Sequence, residues 1–421
     1  MQFLPIFSAL ALFIATPAFA NPTLPVVPPG KLGLSAERLA RGRSVARQFV
    51  DEGKYAGVIG LVARKGQIVD FWAEGLRDLE QRRPMEKDTI VRIYSMSKIV
   101  TSVAVMMLVE EGKIVLADPI EKYLPELGKR LILKGGTEAR PILEGARNPI
   151  TVFHLLTHTA GMPYGKLGGT LLGRLYHDAH LDDARDLKDF VTRLSALPIG
   201  HEPGTKFTYG VNTDVLSRLV EVVSGMPFQD FLSQRIFIPL GMLDTGFFVP
   251  ENKRMRMAVI YETGEDGKLR PKAAPMWPNL CVPGDHCMAS GGAGLYSTIS
   301  DYFRFAQMLL DGGVARGERF LSKRTVMRMA SDHLRSMGIA GLPWESVTGF
   351  GLGVSVREQY GPAPIAWPIG SFGWDGAGST YCRIDPQSGL VTLFFIQHMP
   401  MDPANLVPRL VNVVESAMEA N

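Results

Sequence analysis

Ser95-Met96-Ser97-Lys98 sets a hydroxyl and an amine one helical turn apart, so a helix would carry both on one face. That pairing suits a nucleophile. The amine can take the hydroxyl's proton, and the unpaired N–H groups of a first helical turn favour the negative charge that develops in acyl transfer. Ser and Lys are common residues, so the spacing alone is weak. Its setting strengthens it. Ile99, Val100, Val103, Ala104, Val105, Met106, Met107, Leu108 and Val109 follow, apolar almost all round, before Gly112. This predicts a central helix over Ser95 to Glu111, buried on every side, in which Lys98 has no ordinary surface role.

Other groups point to less. His154 and His158, and His177 and His180 with Asp178, Asp182 and Asp183, have metal-compatible spacing but fit no ligand signature. A helix-packing histidine and a solvated acidic loop are the plainer readings. Gly-x-Ser-x-Gly is absent, which argues against a nucleophile-elbow hydrolase. Gly291-Gly292-x-Gly294 reads as a close backbone approach rather than a phosphate loop, because no strand–loop–helix unit with a lysine follows. No metal or cofactor is expected.

The elements that must position Ser95 come from both ends of the chain. Ser35 caps a helix, and residues 57–63 and 67–73 form a hairpin around Lys65-Gly66. From Leu116 to Pro283 the pattern predicts short helices (152–158, 187–194, 215–223, 228–236) with few strand signals. Then come helix 300–310, apolar runs 351–356, 380–384 and 390–396 with a turn at 385–389, and a tail helix capped by Asp402. The expected organisation is an α/β (α+β) sandwich from residues 30–115 and 290–421, its antiparallel sheet flanked by helices, with a mostly helical region at 116–289. Gly161 to Gly173 is a candidate mobile loop.

The chain has 421 residues, 46% hydrophobic and 21% charged, which is globular composition. Forty-five Lys+Arg against 42 Asp+Glu leave a net +3 with no basic tract, so no nucleic-acid partner is expected. Residues 1–20 carry no charged side chain and end in Ala18-Phe19-Ala20, a small-x-small cleavage pattern. We expect a signal peptide and a periplasmic or secreted product, without stable membrane insertion after cleavage. Cys281 and Cys287 could form a small-loop disulfide there, whereas Cys382 sits in an apolar run and reads as buried.

The text around these residues resembles a known family. Ile93-Tyr-Ser-Met-Ser-Lys-Ile-Val-Thr101, Leu155-Leu-Thr-His-Thr-Ala-Gly161, Glu202-Pro-Gly-Thr-Lys-Phe-Thr-Tyr209, Ser290-Gly-Gly-Ala-Gly-Leu-Tyr-Ser-Thr298 and Phe372-Gly-Trp-Asp-Gly-Ala-Gly-Ser-Thr380 are similar, in order, to motifs of the serine β-lactamase and penicillin-binding-protein superfamily. The likeness covers roughly residues 35 to 400 and is greatest to the class C-like branch, including the family VIII carboxylesterases. It implies a β-lactamase/transpeptidase-like fold, Ser95 as acylated nucleophile, Lys98 and Tyr209 as its proton partners, and an oxyanion hole from the amides of Ser95 and Ala377. Asn212 would orient substrate, although the family's Tyr-x-Asn is one residue longer here. Trp374-Asp375-Gly376 stands where penicillin-recognising enzymes carry Lys-Thr-Gly and resembles the Trp-Gly-Gly of the esterases. A carboxylate-bearing β-lactam would meet no lysine there, and Asp375, pointing inward, would repel it. The resemblance therefore implies an esterase acting on small-molecule esters, with weak β-lactamase activity. A β-lactamase or D-alanyl-D-alanine carboxypeptidase, an acyltransferase and a non-catalytic cell-wall-fragment binder are the alternatives. Oligomeric state is not legible.

Overall fold

The computed structural model describes residues 24–165, 169–273, 281–282, 286–361, 365 and 367–419. The signal peptide read at residues 1–20 and part of the 161–173 loop lie outside the described residues. Helix α1 (Ala36–Asp51) begins where the Ser35 hydroxyl accepts the N–H of Arg38. Strands β1 (Gly57–Arg64) and β2 (Gln67–Asp78) form the expected hairpin, turned at Lys65 and Gly66, both at positive φ, and the short β3 (Arg83–Pro84) follows. Helices α2 (Ser97–Glu110), α3 (Asn212–Ser224) and α4 (Ile299–Leu310) occupy the middle of the chain. The C-terminal part supplies β4 (Thr348–Phe350), β5 (Ser355–Arg357), β6 (Phe372–Gly373), β7 (Thr380–Asp385), β8 (Leu390–Ile396) and helix α5 (Leu406–Ala417).

These strands make one 8-stranded antiparallel sheet in the order β4-β5-β6-β7-β8-β1-β2-β3. The two ends of the chain meet where β1 pairs with β8, Val58 opposite Ile396 and Arg64 opposite Leu390. Side chains alternate across β1. Val58 and Val62 join a core with Leu39 and Phe49 of α1 and Leu410 and Val414 of α5. Ile59, Leu61 and Ala63 face a larger core that holds α2 and α4. Both faces are covered, which is why every residue of β1 is buried.

Helix α2 lies inside that larger core, with Ser97 through Leu108 all buried. Each fully buried Val, Ile, Leu or Met contributes about 1.5–3 kcal/mol. Together they offset the cost of enclosing Lys98.

Within the stretch expected to be mostly helical two small hairpins occur: Leu131–Gly136 pairs with Pro141–Gly145, and Tyr261–Thr263 with Leu269–Pro271. Their largely exposed side chains leave no alternating apolar pattern to read. The run at 351–356 is not one strand: residues 351–354 make the turn, with Gly353 at φ +82°, that joins Thr348–Phe350 to Ser355–Arg357. The tail helix starts at Leu406, four residues beyond Asp402. Asp402 still caps it, its carboxylate accepting the N–H groups of Leu406 and Val407 at 2.9 Å each. Pro408 falls in the first turn, where its missing N–H costs nothing. Among the described residues no helix is long and apolar enough to cross a membrane.

Candidate active site

Ser95 sits in a 3-10 turn, Tyr94–Met96, that runs directly into α2. Tyr94 has φ +44°, a left-handed conformation that costs a side-chain-bearing residue on the order of 1–3 kcal/mol and bends the chain sharply before the serine. Lys98, one turn on, is completely buried. Its Nζ lies 3.1 Å from Ser95 Oγ and 3.0 Å from the Tyr164 hydroxyl, and it donates to the Gly292 carbonyl at 2.8 Å.

Tyr209 arrives from a segment far along the chain. Its hydroxyl donates to Ser95 Oγ at 2.7 Å, and the Trp374 indole N–H donates to the Tyr209 oxygen at 3.0 Å. Lys98 Nζ lies 4.7 Å from the centre of the Tyr209 ring. Ser95, Lys98 and Tyr209 therefore converge at one helix tip.

This tip opens into a cavity of about 690 Å³ whose wall includes Ser95, Tyr209, Trp344, Trp367, Trp374 and Ala377. The lining is mainly apolar, as a site that desolvates a substrate requires. Ala377 lines the same cavity as the nucleophile.

Asp375 does face the cavity, but it is not a bare charge. Arg383 pairs with it at 3.0 Å while stacking 3.3 Å over the Trp367 ring, and the Cys382 N–H also donates to it. Burial raises the Asp375 pKa and Arg383 works against that rise. The carboxylate repulsion anticipated from Asp375 is therefore largely cancelled by a neighbouring cation.

Two anticipated contacts are not made. Asn212 is fully buried, and its amide donates 2.8 Å to His158 Nδ1, so it braces the wall behind Tyr209 instead of reaching the cavity. Gly376 spends its N–H on the Thr380 carbonyl, and a Cβ there would collide with Thr380 Oγ1 and the Ile93 carbonyl. It is a close-packing position. The extra residue between Tyr209 and Asn212 turns the amide inward.

His154 and His158 are structural. His154 Nδ1 accepts the Thr151 N–H in a capping box. His158 is held neutral, chiefly by burial and secondarily by the charge of Lys98. Among the described residues no group of His, Cys, Asp and Glu could hold a metal ion. Cys281 and Cys287 are joined by a disulfide, and Cys382 is free and buried.

Sequence reasoning missed Tyr164. Its phenol is buried against Lys98, and burial, with Asp214 and Tyr209 nearby, pushes its pKa well above the ordinary range. It stays a neutral hydroxyl. Met162-Pro163-Tyr164 carries no local signal that would have singled it out.

The Beta-lactamase family model matches residues 43–414. Esterase EstB from Burkholderia gladioli is 33% identical over 381 residues, covering 85% of this chain and 90% of EstB. Among solved structures, EstCE1, described as a hydrolase with promiscuous acyltransferase activity, superposes with TM-score 0.75 at 26% identity over 90% of this chain and 98% of its own. Simvastatin synthase from Aspergillus terreus gives TM-score 0.78 at 25% identity, over 92% and 100%.

Proposed function

The chain belongs to the beta-lactamase family, and on that footing we propose that it is a serine hydrolase that cleaves carboxylic esters through an acyl-enzyme on Ser95. Ser95 Oγ bonds to the ester carbonyl carbon while its proton passes to the Lys98–Tyr209 pair. The amides of Ser95 and Ala377 hold the oxyanion. Tyr209 hands the proton to the departing alkoxide, and water then releases the acid by the same steps in reverse. Trp374 and the other tryptophans bind the uncharged body of the substrate.

The observation that carries this reading is the double hold on Ser95 Oγ, by Lys98 Nζ at 3.1 Å and the Tyr209 hydroxyl at 2.7 Å, at the edge of an apolar cavity. Esters are favoured over β-lactams because the cavity offers an indole at Trp374, and the cations on its wall, Arg383 and Lys272, are already engaged by Asp375 and Glu262. The export reading gains support from the Cys281–Cys287 disulfide, which suits an oxidising compartment.

A second reading, transfer of the acyl group to an alcohol in place of water, is favoured by the likeness to EstCE1, described as having promiscuous acyltransferase activity, and by the mainly apolar lining. A parallel panel decides. Nitrophenyl esters and nitrocefin are offered to wild type and Ser95→Ala, with product analysis in the presence of an added alcohol. The proposal expects saturable ester turnover that Ser95→Ala abolishes and much weaker nitrocefin turnover. Nitrocefin turnover equal to ester turnover would favour a β-lactamase or carboxypeptidase, and no turnover at all a binding protein.

A further inference from the structure

Behind the site lies a carboxylate that no step above uses. Asp214, on α3, is 3% exposed. Its Oδ1 accepts the Ser290 hydroxyl and, at 3.1 Å, the Gly292 N–H. Gly292 is the residue whose carbonyl accepts from Lys98 at 2.8 Å. The neighbouring Gly291 is tied down as well, its N–H donating to Ser217 Oγ at 3.1 Å and its carbonyl accepting Thr101 Oγ1 at 3.0 Å. The Ser290-Gly291-Gly292 segment is thus clamped between α3 and α2. A Cβ on Gly292 would stand 2.6 Å from Asp214 Oδ2, so glycine is what lets the backbone rest on the carboxylate.

The charges around Asp214 are few. Lys98 faces it from α2, Tyr164 from the 161–165 segment and Asp182 from the turn at Leu181–Asp183. Burial raises its pKa, while Ser290, Lys98 and the Gly292 N–H pull it back toward the ionised form. A carboxylate enclosed this fully is costly unless its charge and hydrogen bonds are used.

We propose that Asp214 is a positioning residue for Lys98: through Ser290 and Gly292 it fixes the carbonyl that aims the amine at Ser95, and its negative charge stabilises the ammonium formed when Lys98 takes the serine proton. Asp214 itself gains and loses no atom. The inference rests on the reading of Ser95 as a nucleophile assisted by Lys98.

The test needs no knowledge of the natural ester. A fluorophosphonate reacts with Ser95 as the serine oxygen bonds to phosphorus, fluoride leaves and the proton passes to Lys98. Intact-mass spectrometry follows the rate across acid and alkaline pH for wild type, Asp214→Asn and Ser290→Ala, with thermal melts as a check on folding. Asp214→Asn, nearly isosteric, labels on the order of tenfold more slowly, a fraction of the roughly 10²–10⁴-fold that a positioned base supplies. Its acid limb moves to lower pH, since removing an anion disfavours cations nearby. Ser290→Ala keeps the charge and loses one hydrogen bond, so it slows labelling about threefold and leaves the acid limb in place.

Folded Asp214→Asn that labels at the wild-type rate with the wild-type profile overturns the proposal. So does Ser290→Ala at the wild-type rate, which decides the matter if Asp214→Asn fails to fold. A wild type that labels but turns over no ester refutes the esterase reading and leaves this one standing, whereas a wild type that never labels refutes both.

Discussion

Tyr209→Phe removes one oxygen and leaves the ring. That ring packs with its centroid 5.0 Å from His158 and 5.4 Å from Trp374, so the wall of the cavity should survive. What is lost is the 2.7 Å hydrogen bond to Ser95 Oγ and the acceptor for the Trp374 N–H. Losing the bond and orphaning the indole donor costs about 1–3 kcal/mol of stability, tolerable in a chain of this size. The catalytic cost is larger. Without the hydroxyl the proton must reach the leaving alkoxide from Lys98 alone, and proton transfer by a placed group is worth roughly 10²–10⁴-fold, or about 3–5 kcal/mol of barrier. Steady-state hydrolysis of p-nitrophenyl butyrate should show kcat down by about that factor and KM within about threefold, because the contacts removed matter in the transition state and not in ground-state binding. A folded Tyr209→Phe enzyme with kcat within about fivefold of wild type, or with its loss carried by KM, would refute the reasoning.

Three further predictions follow the same logic. Trp374→Phe keeps an aromatic wall but deletes the N–H that holds Tyr209 at 3.0 Å; kcat should fall about tenfold, and an unchanged kcat would reduce Trp374 to a binding surface. Gly376→Ala would drive a Cβ into Thr380 Oγ1 and the Ile93 carbonyl, displacing Ala377; kcat should fall by about 10²-fold, and full activity would show that the Ala377 amide holds no oxyanion. Glu415 on α5 has its pKa raised to about 7, first by burial and then by Asp385. The folded state therefore keeps a proton that the unfolded chain has released, and stability drains away as pH rises from the ordinary glutamate value through about 7. Glu415→Gln should be about 2 kcal/mol more stable than wild type in urea melts near about pH 8 and no better at acid pH; equal stability at both would remove burial as the cause.

The site was legible where local chemistry and helical spacing coincide. Ser95 and Lys98 could be placed because a lysine amid Ile99, Val100 and Val103 has no surface to reach. The hairpin at Lys65-Gly66 and the strands at 380–385 and 390–396 were readable from apolar runs bounded by turn residues. Tyr209 was legible only through the order of motifs, since its own neighbourhood, Phe207-Thr208-Tyr209, says nothing of a serine more than a hundred residues away. Tyr164, Asp214 and the Arg383–Asp375 pair were not legible at all, because each acquires its role from a partner on another element. Asn212 shows the converse. Its amide chemistry was right for binding, but helix α3 starts at that residue and turns the side chain toward His158. In the fold, the hairpins at 131–145 and 261–271 escaped for want of a buried face, and the tail helix began late because three residues of turn intervene before Pro408 can occupy a first turn.

The most direct measurement is to trap the covalent intermediate. Wild type and Ser95→Ala are mixed with a slowly released aryl ester, quenched in acid, weighed intact and mapped by peptide sequencing. The account predicts a single acyl adduct on the peptide that carries Ser95 and none on the alanine variant. An adduct on any other residue, or ester hydrolysis that persists undiminished in Ser95→Ala, would contradict it.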